Sequence, residues 1–326
     1  MARLVYKTIE GIKLQAFSVA GEESVIVLPE HNVCFDPGRA PRETIPIDNM
    51  CLTHGHMDHA AGVAYYFSQR TFVGIAPGRV ICHREIAQHI QRLMAVWADI
   101  ERHPSPGVVY GVDPLEDVQI RRGLLLRPFE VNHTAGALGY TLVDVRRKLK
   151  PELSGKTGPE LVALKKQGIE IENVVEVPVL TCTGDTAVGR WMDLDFVRGT
   201  GVLLVECTFF EPEHRERARA GRHIHVCDVP AIMEAAPAAR VVLTHMTRRT
   251  DPRWARQTLE QLVKPADMER ISFLMERDRH SSGRHARQDS ARQGDSKSDR
   301  ARLDGAQSPQ RPDARDGDVR EVCSDG

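Results

Sequence analysis

The feature that most constrains this chain is the stretch at residues 53–59, which reads Thr-His-Gly-His-Met-Asp-His. It follows the apolar run at residues 50–52 directly. Histidine nitrogens and carboxylate oxygens together suit zinc and its first-row neighbours. A histidine-rich surface turn would have the same composition, but further ligand-type residues follow other apolar runs along the chain. The stretch therefore predicts part of a metal site, on a loop held by a strand.

The composition is that of a soluble globular protein, with 41% hydrophobic and 27% charged residues over 326 positions. Lysine and arginine number 44 against 45 aspartate and glutamate, so the total charge does not indicate a nucleic-acid partner. No apolar run approaches the roughly 20 residues that cross a bilayer, and no signal-peptide core is visible. We therefore expect no membrane partner.

The cysteines number 7 and form no C-x-x-C pair. An odd count with mostly apolar neighbours argues against a disulfide framework and against a zinc knuckle. We expect reduced, buried thiols and a cytoplasmic protein.

Apolar runs predict the secondary structure between the ligand-type residues. An early meander of strands is expected at residues 13–17, 24–28 and 32–35, and a further strand at residues 71–73. Apolar residues at three- and four-residue spacing predict an amphipathic helix at residues 84–101. Shorter helices are expected at residues 60–67, 160–167 and 229–236.

Ligand-type residues follow predicted strands five times. The residues that follow these strands are the histidine cluster, His133, Asp185, Glu206 and His245. Taken alone, His133 fits a hydrogen-bonded loop residue, and Asp185 fits a turn former in its Thr-Gly-Asp context. Their positions in the order of elements favour metal ligands.

The composition changes near residue 276. Residues 277–326 contain no aromatic residue and are rich in Ser, Gly, Pro, Gln and opposing charges. Such a segment cannot bury enough apolar surface to fold. We expect one folded domain at residues 1–276 and a disordered tail at residues 277–326.

The ordered ligand-type residues resemble the metallo-β-lactamase superfamily. They are His54, His56, Asp58, His59, His133, Asp185 and His245. The sequence Glu-Cys-Thr-Phe at residues 206–209, with His223 beyond it, is similar to the ribonuclease Z branch, whose members process the 3′ ends of tRNA. The resemblance covers roughly residues 10–276. It implies an α/β fold, a four-layer αβ/βα sandwich of two mixed β-sheets flanked by helices.

The resemblance also implies how two Zn²⁺ ions per chain would be held, with Mn²⁺ or Fe as alternatives. One ion would be bound by His54, His56 and His133. The other would be bound by Asp58, His59 and His245, with Asp185 bridging both. This set leaves each ion an open position, which is typical of catalytic sites. Two such ions, about 4 Å apart, activate a water and clamp a phosphodiester.

Three residues are expected to act in catalysis. Asp58 would orient the attacking water or take its proton. The resemblance implies that His223, held by Glu206, donates a proton to the leaving oxygen, since an adjacent carboxylate raises the pKa of an imidazole. His225 is an alternative general acid, and a buried salt bridge or cap is the structural alternative for Glu206. Asp36 would support the histidine loop through hydrogen bonds.

The interval between His133 and Asp185 departs from the ribonuclease Z pattern. That branch carries a tRNA-gripping arm there, whereas this interval is short and holds only the basic run at residues 146–150 with Lys165 and Lys166. We expect an endoribonuclease acting on tRNA precursors. The alternative is a metal-dependent hydrolase of a small phosphodiester or ester.

Two further expectations concern an alternative function without catalysis and the oligomeric state. A metal-binding or RNA-associated scaffold without activity would lack a ligand, and none is missing. The resemblance also implies a homodimer.

Overall fold

The computed structural model describes residues 3–276 and Cys323. The expected tail at residues 277–326 lies outside this description apart from Cys323. In the described part, no helix is long and apolar enough to cross a membrane.

Seven strands form a first sheet in chain order, β1 to β7. The first four strands pair antiparallel, and β4 to β7 pair parallel. The strands are β1 (Val5–Ile9), β2 (Ile12–Val19), β3 (Glu23–Leu28), β4 (Val33–Pro37), β5 (Asn49–Cys51), β6 (Arg79–His83) and β7 (Val108–Val112).

The second sheet repeats this arrangement with strands β8 to β14. Again the first four strands pair antiparallel and the last four, β11 to β14, pair parallel. The strands are β8 (Val118–Arg121), β9 (Leu124–Glu130), β10 (Leu138–Leu149), β11 (Glu172–Cys182), β12 (Val202–Glu206), β13 (Arg240–Thr244) and β14 (Ile271–Phe273).

Helices connect the strands. The α-helices are α1 (Met57–Ala60), α2 (Val63–Phe72), α3 (Arg84–Glu101), α4 (Gly158–Lys166), α5 (Asp195–Arg198), α6 (Arg215–Gly221), α7 (Val229–Ala235), α8 (Pro252–Leu262) and α9 (Pro265–Met268). Short 3-10 helices lie at Pro29–His31, Arg42–Thr44, Pro151–Leu153, Arg190–Asp193, Pro212–His214 and Val226–Asp228.

Two buried clusters within residues 3–276 show how the layers pack. Between the sheets, side chains from both sheets form one buried cluster that includes Leu14, Phe35, Tyr140 and Leu204. On the other face of the first sheet, Met50 and neighbouring strand residues pack against α2 and α3. Strand β3 is buried at every position, as expected for a strand covered on both faces. The predicted fold, two mixed sheets flanked by helices, is confirmed.

One secondary-structure prediction is wrong, and some observed elements, β1, α8 and β14 among them, were not predicted. Residues 71–73 are not a strand, because α2 continues through Phe72 and Val73 caps it. Helix α2 buries Val63, Tyr66, Phe67 and Arg70, which lie on one helical face, and this packing outweighs the strand propensity of Thr-Phe-Val. Strand β1 was not predicted, since its residues are only half-buried at alternate positions.

The cysteine prediction holds only in part. Five cysteines are free and buried, namely Cys34, Cys51, Cys82, Cys182 and Cys207. Cys227 is disulfide-bonded, so the expectation of a reduced thiol is wrong there.

The interval between His133 and Asp185 folds into a long hairpin of β10 and β11 with α4 near its tip. The hairpin begins beside the histidine loop, where Leu138 N donates to Thr53 O over 2.8 Å. Strand β10 then runs for 12 residues, which carries its far end roughly 35 Å away. Helix α4 has no buried residue. The basic segment at residues 146–168 is therefore an exposed projection that points away from the histidine loop.

Candidate metal centre

The predicted ligands meet at one edge of the two sheets. The loop after β5 supplies the histidine cluster, and the loops after β9, β11 and β13 supply His133, Asp185 and His245. Parallel neighbours such as β11, β12 and β13 end at the same edge, so residues distant in sequence converge there. The structure brings all seven predicted ligands together in two adjoining groups.

The first group contains His54, His56, His133 and Asp185, whose potential ligand atoms lie within 4.8 Å of one another. His56 Nδ1 lies 3.0 Å from His54 Nε2 and 3.3 Å from His133 Nε2. Asp185 Oδ2 lies 3.8 Å from His54 Nε2 and 4.0 Å from His133 Nε2. Three imidazole nitrogens and one carboxylate oxygen thus face a common point.

The second group contains Asp58, His59 and His245. His245 Nε2 lies 3.4 Å from both His59 Nε2 and Asp58 Oδ2. Asp185 Oδ2 is also 3.4 Å from His59 Nε2, and its Oδ1 is 3.4 Å from His245 Nδ1. Asp185 therefore adjoins both groups, which is the position expected of a bridging ligand.

Hydrogen bonds around the cluster fix which nitrogen each histidine turns inward. Thr53 Oγ1 donates to Asp36 Oδ2, so His54 Nδ1 donates to the Thr53 hydroxyl over 3.0 Å. Thr208 Oγ1 donates to Glu206, so His245 Nδ1 donates to that hydroxyl over 3.0 Å. Their Nε2 lone pairs are left facing the cluster.

The same pattern holds at His59 and His133. His59 Nδ1 donates to Asp36 Oδ2 over 2.7 Å, and His133 Nδ1 donates to Arg222 O over 3.2 Å. Four imidazoles thus turn Nε2 inward beside buried carboxylates, and once deprotonated these nitrogens form the donor set that a divalent first-row cation requires. The residues present fit a pair of such ions.

Burial and neighbouring charges set the pKa values in the cluster. Burial holds the pKa of His54 well below its usual range, which keeps this ligand neutral. Burial also lowers the pKa of His59, but the carboxylates of Asp185 and Asp36 outweigh it and raise the pKa well above its usual value. Burial raises the pKa of Asp58, whereas the hydrogen bond from His245 and neighbouring charges lower it more. Asp58 is therefore an anion ready to bind a cation.

Asp36 supports the histidine loop, as predicted. Its Oδ1 accepts from Thr53 N over 2.7 Å, and its Oδ2 accepts from the Thr53 hydroxyl and from His59. The residue is buried and has a φ of 56°, in the left-handed region. One carboxylate thereby holds both ends of the loop that carries four predicted ligands.

Gly184 allows the Asp185 loop to approach the histidine loop. It has a φ of 63°, and a methyl group in its place would lie 2.7 Å from Thr53 Cβ. A side chain at this position would therefore push the two loops apart. The Thr-Gly-Asp sequence was interpreted as a turn, and the contact with Thr53 is a second reason for glycine that the sequence does not reveal.

Ser18 was not singled out from the sequence, yet it holds His245. The Ser18 hydroxyl accepts from His245 N over 3.0 Å and contacts the Ser24 hydroxyl at 3.1 Å. His245 has a φ of 57°, a conformation that costs free energy for a residue other than glycine. The buried serine pair on β2 and β3 offsets this cost at the ligand from the other sheet.

Glu206 and His223 form a pair beside the cluster. Glu206 is fully buried, and its Oε1 accepts from His223 Nδ1 over 2.7 Å. Burial lowers the pKa of His223, but the hydrogen bond and charge of Glu206 outweigh it, so the pKa is raised. The His223 ring lies 4.9 Å from that of His133 and 5.7 Å from that of His245. An imidazole with a raised pKa therefore adjoins both groups of ligands.

His225, the alternative to His223, lies elsewhere. Its Nε2 donates to Glu211 O over 3.1 Å, and its Nδ1 accepts from Cys227 N at the start of the 3-10 helix Val226–Asp228. Both nitrogens are used, so the ring is a buried helix cap. Of the two histidines, only His223 has a nitrogen grouped with the cluster residues Asp185 and His245 among the described residues.

Comparisons with known proteins agree with this geometry. A family model described as a beta-lactamase superfamily domain matches residues 24–246. The tRNase Z TRZ1 of Arabidopsis thaliana is 28% identical over 263 residues, which cover 79% of this chain and 94% of the relative. The nuclear ribonuclease Z of Triticum aestivum is 29% identical over 167 residues, covering 51% of this chain and 95% of the relative.

Solved structures share the fold. The short form of human tRNase Z matches with a TM-score of 0.52 and 15% identity, covering 71% of this chain and 91% of that one. The metallo-beta-lactamase fold protein YhfI of Bacillus subtilis also gives a TM-score of 0.52, at 13% identity, covering 75% of this chain and 90% of that one. The family match spans the strands and loops that carry every predicted metal ligand, and the chain belongs to the beta-lactamase superfamily.

Proposed function

We propose that the protein is a metal-dependent endoribonuclease of the ribonuclease Z type, which removes 3′ extensions from tRNA precursors. The observation that carries this proposal is the pair formed by Glu206 and His223 beside the predicted metal ligands. A phosphodiesterase needs an acid for the leaving O3′, and a histidine whose pKa is raised by a buried carboxylate suits that task. The relatives named tRNase Z support the choice of substrate.

Two Zn²⁺ ions per chain complete the proposed site. His54, His56 and His133 would hold one ion, while Asp58, His59 and His245 would hold the other, with Asp185 between them. When bound, such ions supply Lewis acidity and a water nucleophile at neutral pH. The inward lone pairs of the imidazoles and the buried Asp185 support this assignment.

The remaining chemistry falls to two side chains of this protein. Asp58 Oδ2 accepts from Gly21 N over 2.9 Å, which fixes the carboxylate at the edge of the cluster, where it can orient the attacking water or take its proton. His223 gives its Nε2 proton to the departing O3′, while Nδ1 stays bonded to Glu206. The acid is thus oriented by Glu206 before the substrate arrives.

The hairpin of β10 and β11 does not favour the small-substrate alternative. A lid over the cluster would favour a small ester, but the segment at residues 146–168 points away from the site edge. This hairpin therefore does not cover the cluster, and an uncovered site suits a polymeric substrate.

A cleavage assay tests the proposal. Zinc-loaded protein is incubated with a 3′-extended tRNA precursor, and we expect a single metal-dependent cut that leaves a 3′-hydroxyl on the tRNA. His223→Ala should lower the rate about 10²–10⁴-fold, as expected for loss of a general acid. His89→Ala, which removes an exposed histidine from α3, is the matched control. An intact precursor after incubation with the zinc-loaded protein would refute the proposal.

We also propose that a second copy of the chain covers the exposed face of α3. Leu93, Val96, Trp97 and Ile100 lie on one side of this helix and are between 40% and 63% exposed. An apolar stripe of this kind is typical of an interaction surface, and a symmetric dimer buries it on both copies at once. Sedimentation should give a dimer that Trp97→Glu dissociates and Glu101→Gln does not. A monomeric wild-type chain would contradict the proposal.

A further inference from the structure

Met57 is an exposed apolar residue that lies between two predicted metal ligands. Its neighbours in the chain are His56, from the first group of ligands, and Asp58, from the second. Met57 is 76% exposed, and no other methionine within residues 3–276 is exposed. Single exposed apolar residues are common on protein surfaces. Both neighbours of this one are fixed at the cluster, however, so Met57 lies at the rim of the candidate site.

Two further residues extend this apolar rim along the first two helices. Helix α1 begins at Met57, and the chain stays in the right-handed helical region through Ala61 and Gly62 into α2. Residues four apart therefore lie near one another on the same face. Ala61 is exposed, and Tyr65 is 43% exposed. Met57, Ala61 and Tyr65 thus form one outward face, the rim platform, that starts at the metal ligands.

We propose that the rim platform holds the base of the first nucleotide removed from the precursor, with Met57 as the residue that makes binding depend on that base. The inference rests on the proposed function and deepens it. It concerns the strand that is cut off, not the strand that is kept.

The direction of the reaction selects this strand. In an in-line displacement the attacking water oxygen forms its bond to phosphorus opposite the bond to O3′ that breaks. His223 gives its proton to O3′, so the retained strand leaves on the His223 side. The removed strand keeps the phosphate and gains the attacking oxygen, so it stays on the side of Asp58. Met57 directly precedes Asp58 in the chain.

The size and chemistry of the platform suit a nucleobase. A thioether is polarisable and makes favourable contacts with aromatic rings, and a tyrosine ring can stack on any base. Three side chains expose far less than the about 800 Å² per partner that a stable protein interface buries. The platform therefore fits one flat aromatic group better than the surface of a second protein.

A guanidinium near Asp58 suits the phosphate that follows this base. Arg39 is exposed, and its Nη2 donates to Glu22 O over 2.9 Å. In the same turn between β2 and β3, Gly21 N donates to Asp58 Oδ2 over 2.9 Å. Arg39 therefore lies beside the turn that holds Asp58. Guanidinium groups match phosphate oxygens, so the next phosphate of the removed strand is its proposed partner.

Binding of an uncleavable RNA tests the platform. The probe is a labelled RNA hairpin with two nucleotides beyond the cleavage position, and a methylene group replaces the bridging O3′ to prevent cleavage. It is compared with the same RNA lacking the base of the first removed nucleotide. Fluorescence anisotropy with zinc-loaded wild-type protein should show about tenfold weaker binding of the abasic RNA, the size expected for one stacked base.

Variants at Met57 show whether this residue carries the base preference. Met57→Ala should remove most of the preference, whereas Met57→Leu, which keeps an apolar side chain of similar volume, should retain it. Zinc content and melting temperature should stay at wild-type values in both, since the side chain is exposed. Tyr65→Ala should also reduce the preference, and Tyr6→Ala is its matched control at an exposed tyrosine of β1.

Arg39→Ala tests the phosphate contact separately. It should weaken binding of both RNAs on the order of tenfold, because the phosphate is present with or without the base. Arg42→Ala removes the same charge from the 3-10 helix Arg42–Thr44 and should bind both RNAs as the wild type does. Equal binding by Arg39→Ala and Arg42→Ala would overturn the phosphate contact.

The outcomes separate this inference from the proposed function. If the wild type binds both RNAs equally, or if Met57→Ala keeps the full preference, the platform does not hold this base, even when an ordinary precursor is cleaved. If an ordinary precursor stays intact while the base preference depends on Met57, the cleavage proposal fails and the platform stands.

Discussion

Replacing Glu206 by glutamine tests whether His223 acts as the acid. Each carboxylate oxygen of Glu206 accepts from a hydroxyl or imidazole and from a backbone amide. The donors are His223 Nδ1 and Thr186 N on Oε1, both at 2.7 Å, with Thr208 Oγ1 at 2.5 Å and Ile224 N at 3.3 Å on Oε2. Glutamine keeps the shape but offers one accepting oxygen, so its amide group faces two donors in either orientation.

The size of the effect follows from these bonds. A hydrogen bond to a charged group contributes about 1.5–3 kcal/mol, so replacing the carboxylate that accepts from His223 by a neutral amide should lower kcat roughly 10–100-fold. The pKa of His223 should also fall, since burial, which lowers it, is no longer outweighed by Glu206. A general acid must be protonated, so the alkaline fall in kcat should begin at lower pH in Glu206→Gln.

The stability change has the same sign. A histidine whose pKa is raised by folding adds stability that is complete below its unfolded pKa and is lost as the pH rises through its folded pKa. The excess stability of the wild type over Glu206→Gln should therefore be largest at low pH and shrink as the pH rises.

Single-turnover cleavage across the histidine titration range, with zinc content measured on each sample, provides the assay. Glu213→Gln, at an exposed position of the 3-10 helix Pro212–His214, is the matched control. An alkaline limb that stays at the wild-type pH, or a loss of rate fully explained by lost zinc, would refute the reasoning.

Three further predictions concern the loops that hold the ligands and the bound metal itself. Gly184→Ala should reduce bound zinc and lower the melting temperature, because its methyl meets Thr53; metal analysis and calorimetry check this, and full occupancy would contradict it. Ser18→Ala should cost about 1–3 kcal/mol in urea unfolding by leaving His245 N unpaired, and an unchanged midpoint would count against that role. Chelation should abolish cleavage and lower the melting temperature, with both restored by added Zn²⁺, whereas a chelated protein that melts like the loaded one would argue against a tightly bound pair.

The ends of buried strands were the predictable part of this molecule. The apolar composition of runs such as the one before Asp185 is enough to predict a strand. A polar residue directly after such a run lies at a sheet edge. The order of these residues along the chain then identified the family. His133 was placed by that order, because its local sequence differs little from an ordinary loop.

The contacts that hold the ligands could not be predicted in the same way. Ser18 meets His245 across 227 positions, and Arg222 meets His133 across 89. No local pattern encodes such pairs, since they depend on how the two sheets pack. The strand prediction for residues 71–73 was wrong for a related reason, because the packing of the buried face of α2 determines their conformation.

The two sheets repeat one strand arrangement, four antiparallel strands followed by a parallel extension. Each group of ligands draws on both copies of that arrangement: His54 and His56 need His133, and Asp58 with His59 needs His245. Neither half of the chain alone could enclose an ion. Metal affinity is then linked to the free energy with which the two sheets pack against each other. A substitution between the sheets, far from any ligand, would therefore weaken ion binding.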